Sequence, residues 1–268
     1  MGSRVVVFSP DKAPAYAQFQ DILNGVTAPN LWASATGLSS LASPNFPAYA
    51  VALNGSTVLA VGAGGRIVRS TDGGLSFTII DNAVTTSNNL TAIDATDETV
   101  AYIGGASGTL LRYVNGTISR VTVIDSSSNT LSANVLSVRT PPTRNNEVYL
   151  GTAGGEIWRS KTTLDTVPVF ENMAFDRKGE GSIRDMGFVG YRGDHFWVVQ
   201  SSPASLSRLL RDFSGGNLGN DVEIVGSFTS PSNFGINSIA MANVNYGITV
   251  GNIHETYGFM GAVRSNPA

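Results

Sequence analysis

The stretch Leu59-Ala60-Val61-Gly62, a small-residue loop, then Ile67-Val68-Arg69 reads as a strand ending in glycine, a turn, and a strand ending in arginine. The phrase returns as Ala101-Tyr102-Ile103-Gly104…Leu110-Leu111-Arg112 and as Val148-Tyr149-Leu150-Gly151…Ile157-Trp158-Arg159. Weaker copies are Phe196-Trp197-Val198-Val199…Leu209-Leu210-Arg211 and Gly247-Ile248-Thr249-Val250-Gly251…Ala262-Val263-Arg264. The closing arginines stand at 69, 112, 159, 211 and 264, so successive copies lie 43 to 53 residues apart. Several strands per unit at a period of about 40–50 residues is the signature of a β-propeller. The expected fold is all-β, a five-bladed propeller of four-stranded antiparallel blades.

Around each phrase the alternation of apolar and polar residues adds an inner strand before it and an outer strand after it. Asn54-Gly55 and Asn115-Gly116 are expected to turn hairpins, because a tight turn needs positive φ. Gly62, Gly104 and Gly151 end second strands, and Gly65, Gly108 and Gly155 open third strands. Without a Cβ the chain can bend there and neighbouring blades can pack closely. Residues 1–47 stand apart from the propeller proper, 48–268. They read as a strand over 4–8, a short helix over 13–23 with Pro14 in its first turn, and a Pro/Ser-rich loop. The fifth copy lacks an outer strand, and residues 4–8 lack a partner. Open sheet edges are a liability, so the N-terminal strand is expected to close the last blade; pairing with a neighbouring subunit is the alternative.

The chain has 268 residues, 42% hydrophobic but only 14% charged, and no cysteine. An average soluble domain is about 25% charged, so this surface must rest on Ser, Thr, Asn and Gly. Disulfides, thiolate metal sites and cysteine nucleophiles are excluded. The net charge is −3 and no basic run occurs, which argues against nucleic acid as a partner. No window approaches the ~20 apolar residues of a membrane helix. The first residues run straight into a strand, so no secretion signal is expected.

The segment Ser70-Thr71-Asp72-Gly73-Gly74-Leu75-Ser76-Phe77 resembles the Asp-box, or bacterial neuraminidase repeat, with Ser70, Asp72, Gly74, Ser76 and Phe77 at its pattern positions. The longer phrase from Val61 to Phe77 is also similar to propellers of the photosystem II stability/assembly factor type. In both families this box is a structural turn on the face opposite the usual binding face. The resemblance therefore implies the fold and does not imply sialidase activity.

An enzyme on this fold would place carboxylates on inner strands, and Asp94 and Asp185 are the candidates, with Arg139 and Arg184 as possible substrate grips. Glycosidases need paired carboxyls at about 5 Å or at roughly 6.5–9.5 Å, which strand membership alone cannot establish. Arg184 could equally pair with its neighbour Asp185. The recurrent arginines are expected to cover apolar surface with their stems while their heads stay wet. His195 and His254 have no metal-ligand spacing, and no metal or cofactor is expected. The polar and aromatic loop around His254, Glu255 and Tyr257, together with Tyr191 and Arg192, is the candidate binding rim. Trp158 and Trp197 read as core, whereas Trp32 in the N-terminal loop is a candidate contact.

Three functions are compatible with these residues. The first is a non-catalytic structural or recognition component of a large assembly, most plausibly a phage virion, where it would be a decoration, knob or tail-associated protein. Its partners would be other structural proteins of the assembly or a host-surface glycan. The second is a glycoside hydrolase, sialidase-like or glycan-binding. The third is an assembly factor of the photosystem type.

Overall fold

The computed structural model describes residues 4–26, 31–141, 147–160, 168–174, 178–189, 195–201, 204–211, 218–227, 235–243, 246–254 and 257–264. The chain divides into two compact units, Met1–Arg120 and Val121–Ala268.

The first unit opens with β1 (Arg4–Ser9), β2 (Lys12–Gln18), the short helix α1 (Phe19–Leu23) and β3 (Ala33–Ser34). The three strands form a sheet in the order β1-β2-β3. Two expectations are corrected here. The N-terminal strand, expected to complete the last blade, instead hairpins onto β2, with Val5 opposite Ala17 and Val7 opposite Ala15. A partner two residues away costs far less loop-closure entropy than one at the far end of the chain. The helix expected over 13–23 is strand up to Gln18 and helical only over Phe19–Leu23. Pro14 sits where the register slips between Val7 and Ser9, a bulge where the missing N–H does no harm.

The first repeat sheet follows as β4 (Tyr49–Ala52), β5 (Val58–Val61), β6 (Arg66–Ser70) and β7 (Thr78–Asn82). The second is β8 (Leu90–Ala95), β9 (Val100–Gly105), β10 (Leu110–Val114) and β11 (Thr117–Arg120). Each is a four-stranded antiparallel meander. Period-2 alternation sends successive residues to opposite faces. Leu59, Val61 and Ile67 pack with Leu90, Ile93, Ile103 and Leu111 of the second sheet. Ala60 and Val68, on the other face, pack with Phe77, Ala35 and Leu38 and with the partly buried Val6, Phe8 and Tyr16 of the N-terminal segment.

The second unit contains β12 (Val135–Arg139), β13 (Tyr149–Thr152), β14 (Ile157–Ser160) and β15 (Phe170–Asn172). Next come β16 (Ile183–Val189), β17 (His195–Ser201), β18 (Ala204–Arg211) and β19 (Leu218–Ser227). The last sheet is β20 (Gly235–Asn243), β21 (Tyr246–His254) and β22 (Tyr257–Arg264). Its inner strands lie beside one another, β12 against β16 and β16 against β20. Tyr149, Ile157 and Met173 pack against Ile183, Met186 and Val198 to join two of its sheets.

The close approach of sheets needs glycine at specific places. Gly65 has φ +72°, and a Cβ there would lie 1.6 Å from the Thr86 carbonyl oxygen ahead of the next sheet. Gly155 has φ +74°, and a Cβ would lie 2.7 Å from the Gly181 oxygen. The hairpins differ from one another. Asn115 and Gly116 both take positive φ, as expected. Gly55 does not; instead Asn54 Oδ1 accepts from the backbone N–H of Ser56 and Thr57 at 2.9 and 2.7 Å.

Candidate functional site

Between β6 and β7 the chain makes the 70–77 turn, built around one carboxylate. Asp72 Oδ1 accepts from the N–H groups of Leu75 and Ser76, each at 3.0 Å, and from Ser70 Oγ at 2.7 Å. Its Oδ2 accepts from Ser76 Oγ at 2.5 Å. Burial works to raise the Asp72 pKa, but the hydrogen bonds from Ser76, Ser70 and Leu75 outweigh it and hold the carboxyl at about 2. Gly74, at φ +88°, donates its N–H to Ser70 Oγ. Phe77 is buried and meets Phe8 edge-on, with ring centroids 5.7 Å apart.

Beside this turn lies a cavity of about 1080 Å³. One wall is β1, through Arg4, Val6 and Phe8; the facing wall includes Ala48, Ala50 and Ala52 on and before β4. The hairpin at Asn54 and the turn at Asp72 close one end. Among the described residues its charged lining is Arg4 and Asp72. Arg4 reaches over the turn and donates to the Asp72 carbonyl oxygen at 3.0 Å, while its Nε is buried without an acceptor. Sequence reasoning missed this cavity. Its signal was the alanine at every second position, 48, 50 and 52, on and just before β4.

In the second unit Asp185 is the inner-strand carboxylate that the sequence singled out. It is buried and ion-paired with Arg139. Oδ1 also accepts from the Met186 N–H at 2.8 Å and from Ser137 Oγ at 3.3 Å. Oδ2 accepts from Ser238 Oγ at 2.6 Å and the Ile239 N–H at 3.0 Å. One side chain thus ties β16 to β12 and β20. Arg184, by contrast, is exposed, so the ion partner of Asp185 is Arg139 and not its sequence neighbour. Asp94 is half-buried on β8.

The recurrent arginines do not share one environment. Arg112 donates from Nε to the Tyr102 hydroxyl at 3.2 Å. Arg159 is buried, with its head on Glu171 at 2.8 Å, which corrects the expectation of a wet head. Trp158 and Trp197 are core residues, as expected, and Trp32 is 37% exposed. Tyr191, Arg192 and Glu255 lie outside the described residues. His254 ends β21 opposite Tyr257, which opens β22. Among the described residues no three His, Asp or Glu side chains gather as a metal site, and no helix is long and apolar enough to cross a membrane.

Consecutive antiparallel sheets with adjacent inner strands define a β-propeller fold, and solved structures agree. YCF48 from Cyanidioschyzon merolae matches 98% of this chain over 80% of its own, with TM-score 0.66 and 13% identity. YCF48 bound to D1 peptide matches 94% of the chain over 72% of its own, with TM-score 0.64 and 14% identity. An ancestral GH74 enzyme matches 99% of the chain over 37% of its own, with TM-score 0.62 and 14% identity. No protein-family model and no curated protein matches the sequence.

Proposed function

We propose that this chain is a non-catalytic recognition propeller that binds another protein within a larger assembly. The observation that carries this reading is the chemistry of the cavity wall. The site is large and mostly small or apolar, and the one carboxylate on it, Asp72, has its oxygens taken up by its own turn. A site without a convergent acid and base suits binding rather than bond cleavage. The saturation of Asp185 supports the same reading. In this reading the 70–77 turn is a structural Asp-box, Tyr191, Arg192, His254, Glu255 and Tyr257 are candidate contacts of the second unit, and Trp32 is a separate candidate contact of the first.

Two settings fit a recognition propeller. Low charge, absent cysteine and Ser/Thr/Asn/Gly richness favour a virion component such as a decoration or tail-associated protein of a phage. The structural likeness to YCF48, one form of which is bound to D1 peptide, favours an assembly factor. Native mass separates both from an enzyme. A particle far above the 28.0 kDa of the chain, or co-sedimentation with capsid proteins, supports the assembly reading. A discrete monomer that cleaves a fluorogenic sialoside or arabinoside overturns it.

A further inference from the structure

The four full repeat sheets each have four strands, whereas the N-terminal sheet has three. Its edge strand β1 hydrogen-bonds β2 alone among the described residues. The missing place falls beside the cavity, because Arg4, Val6 and Phe8 of β1 form its wall. Across from them Ala50 and Ala52 of β4 are exposed. At the register position of Ala50 the other inner strands carry the longer Asp94 on β8 and Arg139 on β12, both half-buried.

We propose that this cavity is a strand-addition site, in which an extended peptide segment of a partner protein pairs with the free edge of β1, lies over Ala50 and Ala52, and places a carboxylate on Arg4. Edge pairing supplies main-chain hydrogen bonds that any sequence can make, and specificity comes from alternate side chains. The alanines select apolar side chains on the inward face. Arg4 selects the charge. It has no carboxylate partner among the described residues, its Nε is buried without an acceptor, and its one hydrogen bond goes to a neutral carbonyl. The Asp72 carboxylate does not take the Arg4 head, since its oxygens are held within its own turn.

This inference rests on the recognition reading above and names its ligand class, so the experiment separates the two. The full chain is titrated into fluorescein-labelled octapeptides of alternating valine and threonine, with an aspartate at one end or the other, and anisotropy is read. One of the two aspartate peptides is expected to bind saturably, and its asparagine counterpart about tenfold more weakly, the usual scale of a charge-assisted hydrogen bond. N-methylation of alternate amides is expected to abolish binding. Arg4→Leu is expected to erase the aspartate preference, and Ala50→Phe, a change at an exposed position, to block the slot. Both variants are checked for an unchanged melting temperature; if Arg4→Leu unfolds, Ala50→Phe alone decides. Equal binding of the N-methylated peptide, no binding of either aspartate peptide, or full binding by Ala50→Phe overturns the proposal. So does a dimer that Ala50→Phe dissociates, because a second copy would then be the occupant. If Ala50→Phe still enters its native assembly, recognition stands and the slot falls.

Discussion

Asp72 organises eight residues through one carboxylate, and the same economy recurs at Asp97, which Thr99 and Val100 hold below its usual range. The Asp72 pKa lies at about 2 in the folded chain, against about 3.9 for an unfolded aspartate. The unfolded state therefore binds the proton more readily. The stability from Asp72 is complete above pH 4 and is lost as pH falls toward 2, at about 1 kcal/mol after allowance for solvent screening. Asp72→Asn is expected to lower stability by about that amount at pH 7, with the gap to wild type closing near pH 2 in urea titrations. Gly65 makes a sharper case. Gly65→Ala is expected to cost more than about 2 kcal/mol, because strain at positive φ adds to a carbonyl collision. Gly25, also at φ +72° but with nothing within 4 Å of a Cβ, is the control, and Gly25→Ala is expected to cost about 1 kcal/mol. Gly65 was legible in the sequence because it recurs with the repeat. The Asn54-Gly55 turn was misread, because an Asn side chain can close a loop by itself without left-handed backbone.

At the level of elements, the repeat strands were legible wherever alternation was bounded by glycine, as in Val58–Val61 and Arg66–Ser70. The helix expected over 13–23 failed for a physical reason. Tyr16 and Ala17 fit a strand face as well as a helix face, and a hairpin partner in β1 decided between them. The role of Asp185 was half legible. Its type and strand were readable, but its donors on β12 and β20 stand 46 to 54 residues away, and only the packed sheets bring them together. Loss of this carboxylate would strand Arg139 and two inner-strand amides. Asp185→Ala is expected to cost about 3 kcal/mol, and Ser238→Ala about 1 kcal/mol, by chemical denaturation. If Asp185 instead served catalysis, its removal would leave stability unchanged, and equal midpoints would expose that.

For the molecule as a whole, likeness of shape at 13% identity means that the propeller fold tolerates the exchange of most side chains. A chain with 14% charged residues has little repulsion to keep copies apart near neutrality of net charge. Light scattering is expected to peak, and solubility to pass through a minimum, near the isoelectric point of about 5.4. The N-terminal sheet is also tied to the 70–77 turn by main chain. The Thr36 N–H bonds the Leu75 oxygen and the Phe77 N–H bonds the Thr36 oxygen, each at 3.0 Å, with Gly37 lying directly over Phe77. During synthesis the opening segment leaves the ribosome long before residues 75–77 do. It has no place to settle until they emerge, so at about 5–20 residues per second it spends seconds as an unsheltered hairpin open to a nascent-chain chaperone.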